Sequence, residues 1–261
     1  MLFIFIGVAM TIVSHRHKFI FLKTRKTAGS SLEIALAAFC GPEDLICPTD
    51  EAPRFGIREQ NNQKKIGELT SMDWGQFFSR IVKDVSKNGK PDLNRSIKKL
   101  RRVIKSTHYN AKSLRESCGF EIWDSYYKFC FERNPFDRLV SFYYWRTKEL
   151  ERSQSFKEFA LSVLQGNKKE RRRLNAANFS NRPFYEIDGE VVVDRICRFE
   201  NLESEMSGFL NMIGVQWDGD LPRMKSGYRP RRNYRDYYDA ELRELCEEVF
   251  SREIKLLGYE F

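Results

Sequence analysis

Residues 17–39 read HKFIFLKTRKTAGSSLEIALAAF, and this stretch decides the fold. Phe19–Leu22 is a short run of β-forming apolar residues, the composition of a buried strand. Lys23–Ser31 then crowds Lys23, Thr24, Arg25, Lys26, Thr27, Ala28, Gly29, Ser30 and Ser31 into one turn. Leu32–Phe39 follows with Leu, Ile and Ala, all compatible with a helix. A helix begins with unpaired backbone N–H groups and the positive end of its dipole. Gly29 lets the backbone approach a ligand closely, and Lys26 and the hydroxyls add donors. Strand, glycine turn and helix in that order make an anion cradle, most often for phosphate or its analogues. An ordinary strand–helix connection capped by Ser30 or Ser31 satisfies the same pattern, so the turn alone does not decide function.

Two later stretches repeat the arrangement. Arg101–Ser106 (RRVIKS) predicts a short strand, His108 lies in the turn after it, and Asn110 caps a helix over Asn110–Ser117. Tyr126–Phe131 (YYKFCF) predicts a buried strand. Glu132-Arg133-Asn134-Pro135 is its turn, with Asn134 as N-cap and Pro135 at the first helical position. A helix over Phe136–Glu149 places Leu139, Phe142, Tyr143 and Arg146 on one face and Arg138, Ser141 and Trp145 on another. Three such units imply an α/β fold: a P-loop-like three-layer arrangement with a central, mainly parallel sheet flanked by helices. Ligands then sit at the carboxyl ends of the strands.

The remaining elements are read from the same signals. Thr11–Ser14 is an added strand turning through His15–His17, an H-x-H that reads as a solvated turn before a metal pair. Thr70–Val85 predicts a short helix, Ser155–Leu164 an amphipathic one, and Leu202–Ile213 a helix stopped by Gly214. Gly166–Arg173 (GNKKERRR) is a solvated charge run that also suits an anionic acceptor. Val191–Phe199 alternates as a strand does, and Asp239–Leu257 reads as one closing helix.

The chain has 261 residues, 41% hydrophobic, enough for one substantial core, and residues 1–261 are read as one domain. A formal net charge of +9 favours polyanionic partners without choosing among them. Cys40, Cys47, Cys118, Cys130, Cys197 and Cys246 show no zinc spacing and read as free thiols, which favours a reducing compartment, the cytoplasm. Leu2–Val13 is apolar but too short to span a bilayer. It lacks a basic leader and a clear cleavage site. It is either an added strand, a weak signal-like segment, or a sign that translation starts at Met10; residues 1–9 are then an extension.

KTRKTAGSS after a strand resembles the 5′-phosphosulfate loop of sulfotransferases that use 3′-phosphoadenosine 5′-phosphosulfate. FERNPFDRLVSFYYW, Phe131–Trp145, resembles their 3′-phosphate motif, in which an arginine at the strand end and a serine eight residues on hold the 3′-phosphate. Those residues are Arg133 and Ser141. The resemblance is to the carbohydrate-type branch and extends to FEN at Phe199–Asn201 and to Tyr234–Phe261. Residues 41–104 lie outside it and suit an acceptor-side insertion. It implies that Arg25, Lys26, Thr27, Ala28, Gly29, Ser30, Ser31, Arg133, Ser141, Arg229 and Arg231 bind the donor nucleotide. Lys26 neutralises the leaving phosphate, and Phe136 or Trp145 stacks on adenine or belongs to the core.

In-line sulfuryl transfer leaves little covalent work for a protein beyond positioning and charge stabilisation. No metal is demanded, and no convincing magnesium ligand set is present. The acceptor, a hydroxyl of a sugar or glycan, needs a base. His108 is the first candidate and Glu33, in the first turn of the loop's helix, its rival. Glu132 departs from the resemblance, where an apolar residue is usual; it either pairs with an arginine or weakens anion binding. Two other readings stay open: a P-loop kinase-like enzyme, although G-x-x-x-x-G-K-[ST] is absent, and a non-catalytic polyanion binder. Nucleic acid is not the expected partner, since no base-stacking module is present.

Overall fold

The structure is a computed structural model. It describes residues 11–47, 52–58, 60–61, 110–150, 154–176, 179–222 and 229–261, with residues 78, 79, 82, 85 and 86 between them. The strand expected at Arg101–Ser106, His108, and most of the helix expected at Thr70–Val85 lie outside the described residues.

The sheet is built from β1 (Thr11–Ser14), β2 (Phe19–Leu22), β3 (Leu45–Ile46), β4 (Tyr127–Glu132) and β7 (Arg195–Arg198), in the order β3-β1-β2-β4-β7. A separate hairpin pairs β5 (Glu186–Ile187) with β6 (Glu190–Val191). Val191–Phe199 is therefore not one strand. Asp194 ends the excursion by accepting the Lys128 N–H at 2.7 Å, and β7 starts only after it. The sheet is mixed where a mainly parallel one was expected. β2 and β7 run parallel to β4, whereas β1 is antiparallel to both β2 and β3. The reason is local: only residues 15–18 join β1 to β2, and a parallel crossover needs a dozen or more residues. Lys18 closes that turn with φ 53°. Asp44 holds it from outside, accepting from Ser14 Oγ, the N–H groups of His15 and Arg16, and Gly41 N–H. His15 bonds Tyr126 and His17 bonds the Phe39 carbonyl, so both rings are half-buried parts of the turn.

Both faces of the sheet are covered, which is why Phe19–Leu22 and Phe129–Phe131 are continuous apolar runs. Phe19, Phe21, Phe129 and Phe131 pack on one face beneath Leu32 and Leu36 of α1 (Gly29–Ala37). Met206, Phe209 and Leu210 lie on that face too, from a later helix, Leu202–Met212. Ile20, Leu22 and Cys130 face the other way, against α2 (Ala111–Cys118) and α3 (Phe120–Ser125). These are the three layers.

A further core joins α4 (Pro135–Leu150) and α5 (Phe156–Leu164) to α8 (Ala240–Val249) and α9 (Ser251–Leu257); Leu174, just after α6 (Lys168–Arg173), packs into it, and α7 is the Leu202–Met212 helix. Phe136 is 1% exposed in this core, packed edge-on against Tyr238 and Phe261, and so is not an adenine platform. The closing helix is two, because its backbone breaks at Phe250 (ψ 17°), which is anchored among Phe179 and its neighbours. The charge run becomes the short helix α6, capped by Asn167 and Glu170. All six cysteines are free thiols.

Candidate active site

β2 and β4 are adjacent and parallel, so the turns that follow them open on one edge of the sheet. The first turn is Lys23–Ala28. Lys26 and Ala28 both take left-handed backbone conformations, with φ 62° and 56°. Such residues in a turn aim successive N–H groups into one concavity. Ala28 is the N-cap of α1, and no side chain caps the helix. The capping expected of Ser30 or Ser31 is not how this helix starts; both serines are buried in its first turn.

The floor of the turn is an ion pair that sequence reasoning missed. Lys23 runs beneath Gly29 and places Nζ 3.0 Å from Glu33 Oε2 and 3.4 Å from Ser30 Oγ. A Cβ on residue 29 would sit 2.5 Å from Lys23 Cγ, so the glycine is needed for the lysine's passage. Glu33, 1% exposed, is thus a buried partner of Lys23. To act as a base it would have to give up that pair. Thr24 bonds Thr27 at 2.9 Å and donates to the Phe131 carbonyl, stitching the turn to β4.

The second turn is Arg133–Asn134, and here the expected capping is present. Asn134 Oδ1 accepts the Phe136 N–H at 3.0 Å, with Pro135 opening α4. Arg133 is held on several sides. Nε and Nη2 bond Asp137 Oδ2 at 2.7 and 2.6 Å, and Nη1 donates to the Lys26 carbonyl at 3.3 Å. Its guanidinium lies 4.2 Å over the Phe199 ring. Of five N–H groups, one on each of Nη1 and Nη2 is left for a ligand, among the described residues. Burial lowers its proton affinity, and Asp137 pulls it back up.

Arg229 binds the other oxygen of Asp137, which brings it beside Arg133. Arg231 is exposed. Ser141 is half-buried on α4, two turns beyond Arg133. Lys26 Nζ lies 5.1 Å over the Trp145 ring, so the tip of the first turn touches the helix of the second. Lys26, Arg133, Arg229 and α4 are therefore joined by direct contacts. His108 lies outside the described residues.

Glu132 pairs with Arg138, Nη1 to Oε1 at 3.2 Å, both side chains at most 1% exposed. Burial pushes its carboxyl up, and Arg138 pulls it back down. Of the two expectations for Glu132, the pairing with an arginine is the one observed. Phe199 and Glu200, from FEN, form the underside of the Arg133 turn: Glu200 accepts the Asn134 N–H at 2.7 Å. Tyr259 O–H lies 3.0 Å from the Glu132 carbonyl and 3.1 Å from Glu200 Oε2, its one proton shared between them. Their resemblance to the family's pattern flagged them, but not what they touch. Among the described residues there is no cluster of His, Cys, Asp and Glu able to hold a metal ion, and no helix long and apolar enough to cross a membrane.

An uncharacterized protein of Archaeoglobus fulgidus is 31% identical over 109 residues, which is 41% of this chain and 84% of that protein. No solved structure matches the chain. The model of the sulfotransferase family matches residues 9–260, nearly the whole length and both turns of the site, and the chain belongs to that family.

Proposed function

We propose that the protein transfers a sulfuryl group from 3′-phosphoadenosine 5′-phosphosulfate to a hydroxyl of a carbohydrate, as one P-loop-like domain in a reducing compartment, the cytoplasm. Family membership supports sulfotransferase activity in general. The observation that carries the finer reading is the hydrogen bond from Arg133 to the Lys26 carbonyl, which ties two cationic turns together at the ends of adjacent parallel strands. A ligand spanning both turns needs two anionic ends, as this donor has.

The donor set fits such a group. The first turn of α1 supplies uncapped N–H groups with Thr27, Gly29, Ser30 and Ser31 around them. Arg25 Nε is buried without a protein partner among the described residues, as a donor kept for an anion would be. The bound donor supplies the activated sulfuryl group. Residues Thr27–Ser31 hold its 5′ end, Lys26 offsets charge on the leaving phosphate, and Arg133 with Ser141 holds the 3′ end. Arg229 adds positive charge beside Arg133; Arg231 closes from the same loop. His108 takes the acceptor's proton, since Glu33 is committed to Lys23. The reaction uses no metal.

Calorimetry with adenosine 3′,5′-bisphosphate in the presence of a chelator tests the reading. Binding is expected, strongly weakened by Arg133→Ala and by Lys26→Ala. No heat and no thermal stabilisation at millimolar nucleotide would overturn it. In His108→Ala, binding should survive while transfer is lost; unchanged turnover would return the base to Glu33.

A further inference from the structure

Asn181 is fully buried, 156 residues from the turn it touches, and belongs to a stretch that reads as loop in the sequence. Its amide pairs with the N–H and C=O of one residue, as a neighbouring strand would. The Arg25 N–H donates to Oδ1 at 2.8 Å, and Nδ2 donates to the Arg25 carbonyl at 3.2 Å. Nδ2 also donates to Glu132 Oε1 at 2.9 Å. That oxygen accepts the Arg133 N–H at 3.0 Å and Arg138 Nη1 at 3.2 Å. One buried carboxylate oxygen therefore joins Asn181, which grips the first turn, to Arg133, which forms the second.

We infer that Asn181 is a positioning residue for sulfuryl transfer, setting the register of the Lys26 turn against the Arg133 turn through Glu132. This rests on the proposed function. The physical case is one of balance across a strained residue. Lys26 has φ 62°, a conformation that costs a non-glycine residue free energy and persists only where its surroundings impose it. Asn181 fixes the peptide before it, and Arg133 fixes its carbonyl. Asn181 is itself held from behind: Phe184 N–H bonds its carbonyl at 2.9 Å, and neighbouring Ser180 donates to the buried Glu253 on α9. The role needs an acceptor and two donors on one short side chain. Asp removes both donors and sets a carboxylate against Glu132.

The test compares the full chain with Asn181→Ala and Asn181→Asp. Transfer to a fixed acceptor should lose kcat by on the order of 10²-fold in Asn181→Ala, the usual effect of about 1 Å of misplacement. Asn181→Asp should lose more, and the acceptor KM should stay within a factor of about two in both. Binding of adenosine 3′-monophosphate should be unchanged, whereas adenosine 5′-phosphosulfate binding weakens. A variant that merely lost stability would show unchanged kcat per folded molecule, and that result overturns the inference. If neither variant folds, hydrogen exchange on the unaltered chain decides: the Arg25 amide should be protected, and exchange at the rate of an unprotected amide overturns it. Failure of the unaltered chain to bind adenosine 3′,5′-bisphosphate would instead remove the proposed function beneath it.

Discussion

The two turns of the site leave adjacent parallel strands for helices, yet they offer an anion opposite kinds of donor. After β2, the chain passes through left-handed residues into a helix that no side chain caps; Ser31 N–H bonds the Ala28 carbonyl at 2.9 Å. After β4, Asn134 caps its own helix and Pro135 has no N–H to offer. The second turn cannot bind through its backbone, and it presents a guanidinium instead. In the proposed function the first turn would hold the 5′ end by its main chain. The second would hold the 3′ end by a mostly buried side chain, anchored on Asp137 and stacked on Phe199.

The sharpest way to break this comparison is Arg133→Lys, which keeps the charge and loses the planar fork. Losing a charged hydrogen bond of about 1.5–3 kcal/mol should weaken adenosine 3′,5′-bisphosphate roughly 10–100-fold by calorimetry. Adenosine 5′-phosphosulfate, which lacks the 3′ end, should change little. Equal losses for both ligands would mean that the turns do not address separate ends.

Gly29→Ala probes the first turn from below. The added methyl displaces Lys23 from beneath residue 29 and breaks its pair with buried Glu33. Overpacking of this kind should lower stability by about 1–3 kcal/mol in urea unfolding. An unchanged midpoint would show that the ion pair is dispensable as a floor.

Asn134→Ala tests the second turn's self-capping. It uncovers the Phe136 N–H and removes bonds to Tyr234 and the Glu260 carbonyl. A loss of about 1 kcal/mol or somewhat more is expected in the same unfolding experiment. Ala28→Gly should have the smallest effect and the opposite sign. It relieves a left-handed alanine worth about 1–2 kcal/mol, less about 0.4–1 kcal/mol of extra unfolded-state freedom. A small gain in unfolding midpoint follows; a clear loss would mean that φ 56° at Ala28 is not strained.

Local structure was largely legible. Phe19–Leu22, the Asn134-Pro135 helix start, the amphipathic helix after Ser155 and the Gly214 stop are signals spanning a few residues, and each lies where the sequence places it. The β1–β2 turn was legible too, but not its consequence for strand direction. The long closing helix was misread because Phe250 fits the helical period while its backbone does not. Of the site, Lys26, Arg133 and Arg229 come together, but Asp137, which holds the last two, carries no sequence signal distinguishing it from any other helix acid.

By itself the sequence determined which groups are available: a glycine turn before a helix, a capped turn ending in arginine, and the excess of positive charge. Those depend on residue type and short spacing. The tertiary structure alone decided which groups meet. Asn181 reaches Arg25 across 156 residues, and Glu200 reaches Asn134 across 66. Such contacts leave no periodicity, because a buried polar side chain is fixed by whichever partner satisfies its hydrogen bonds once the strands have paired.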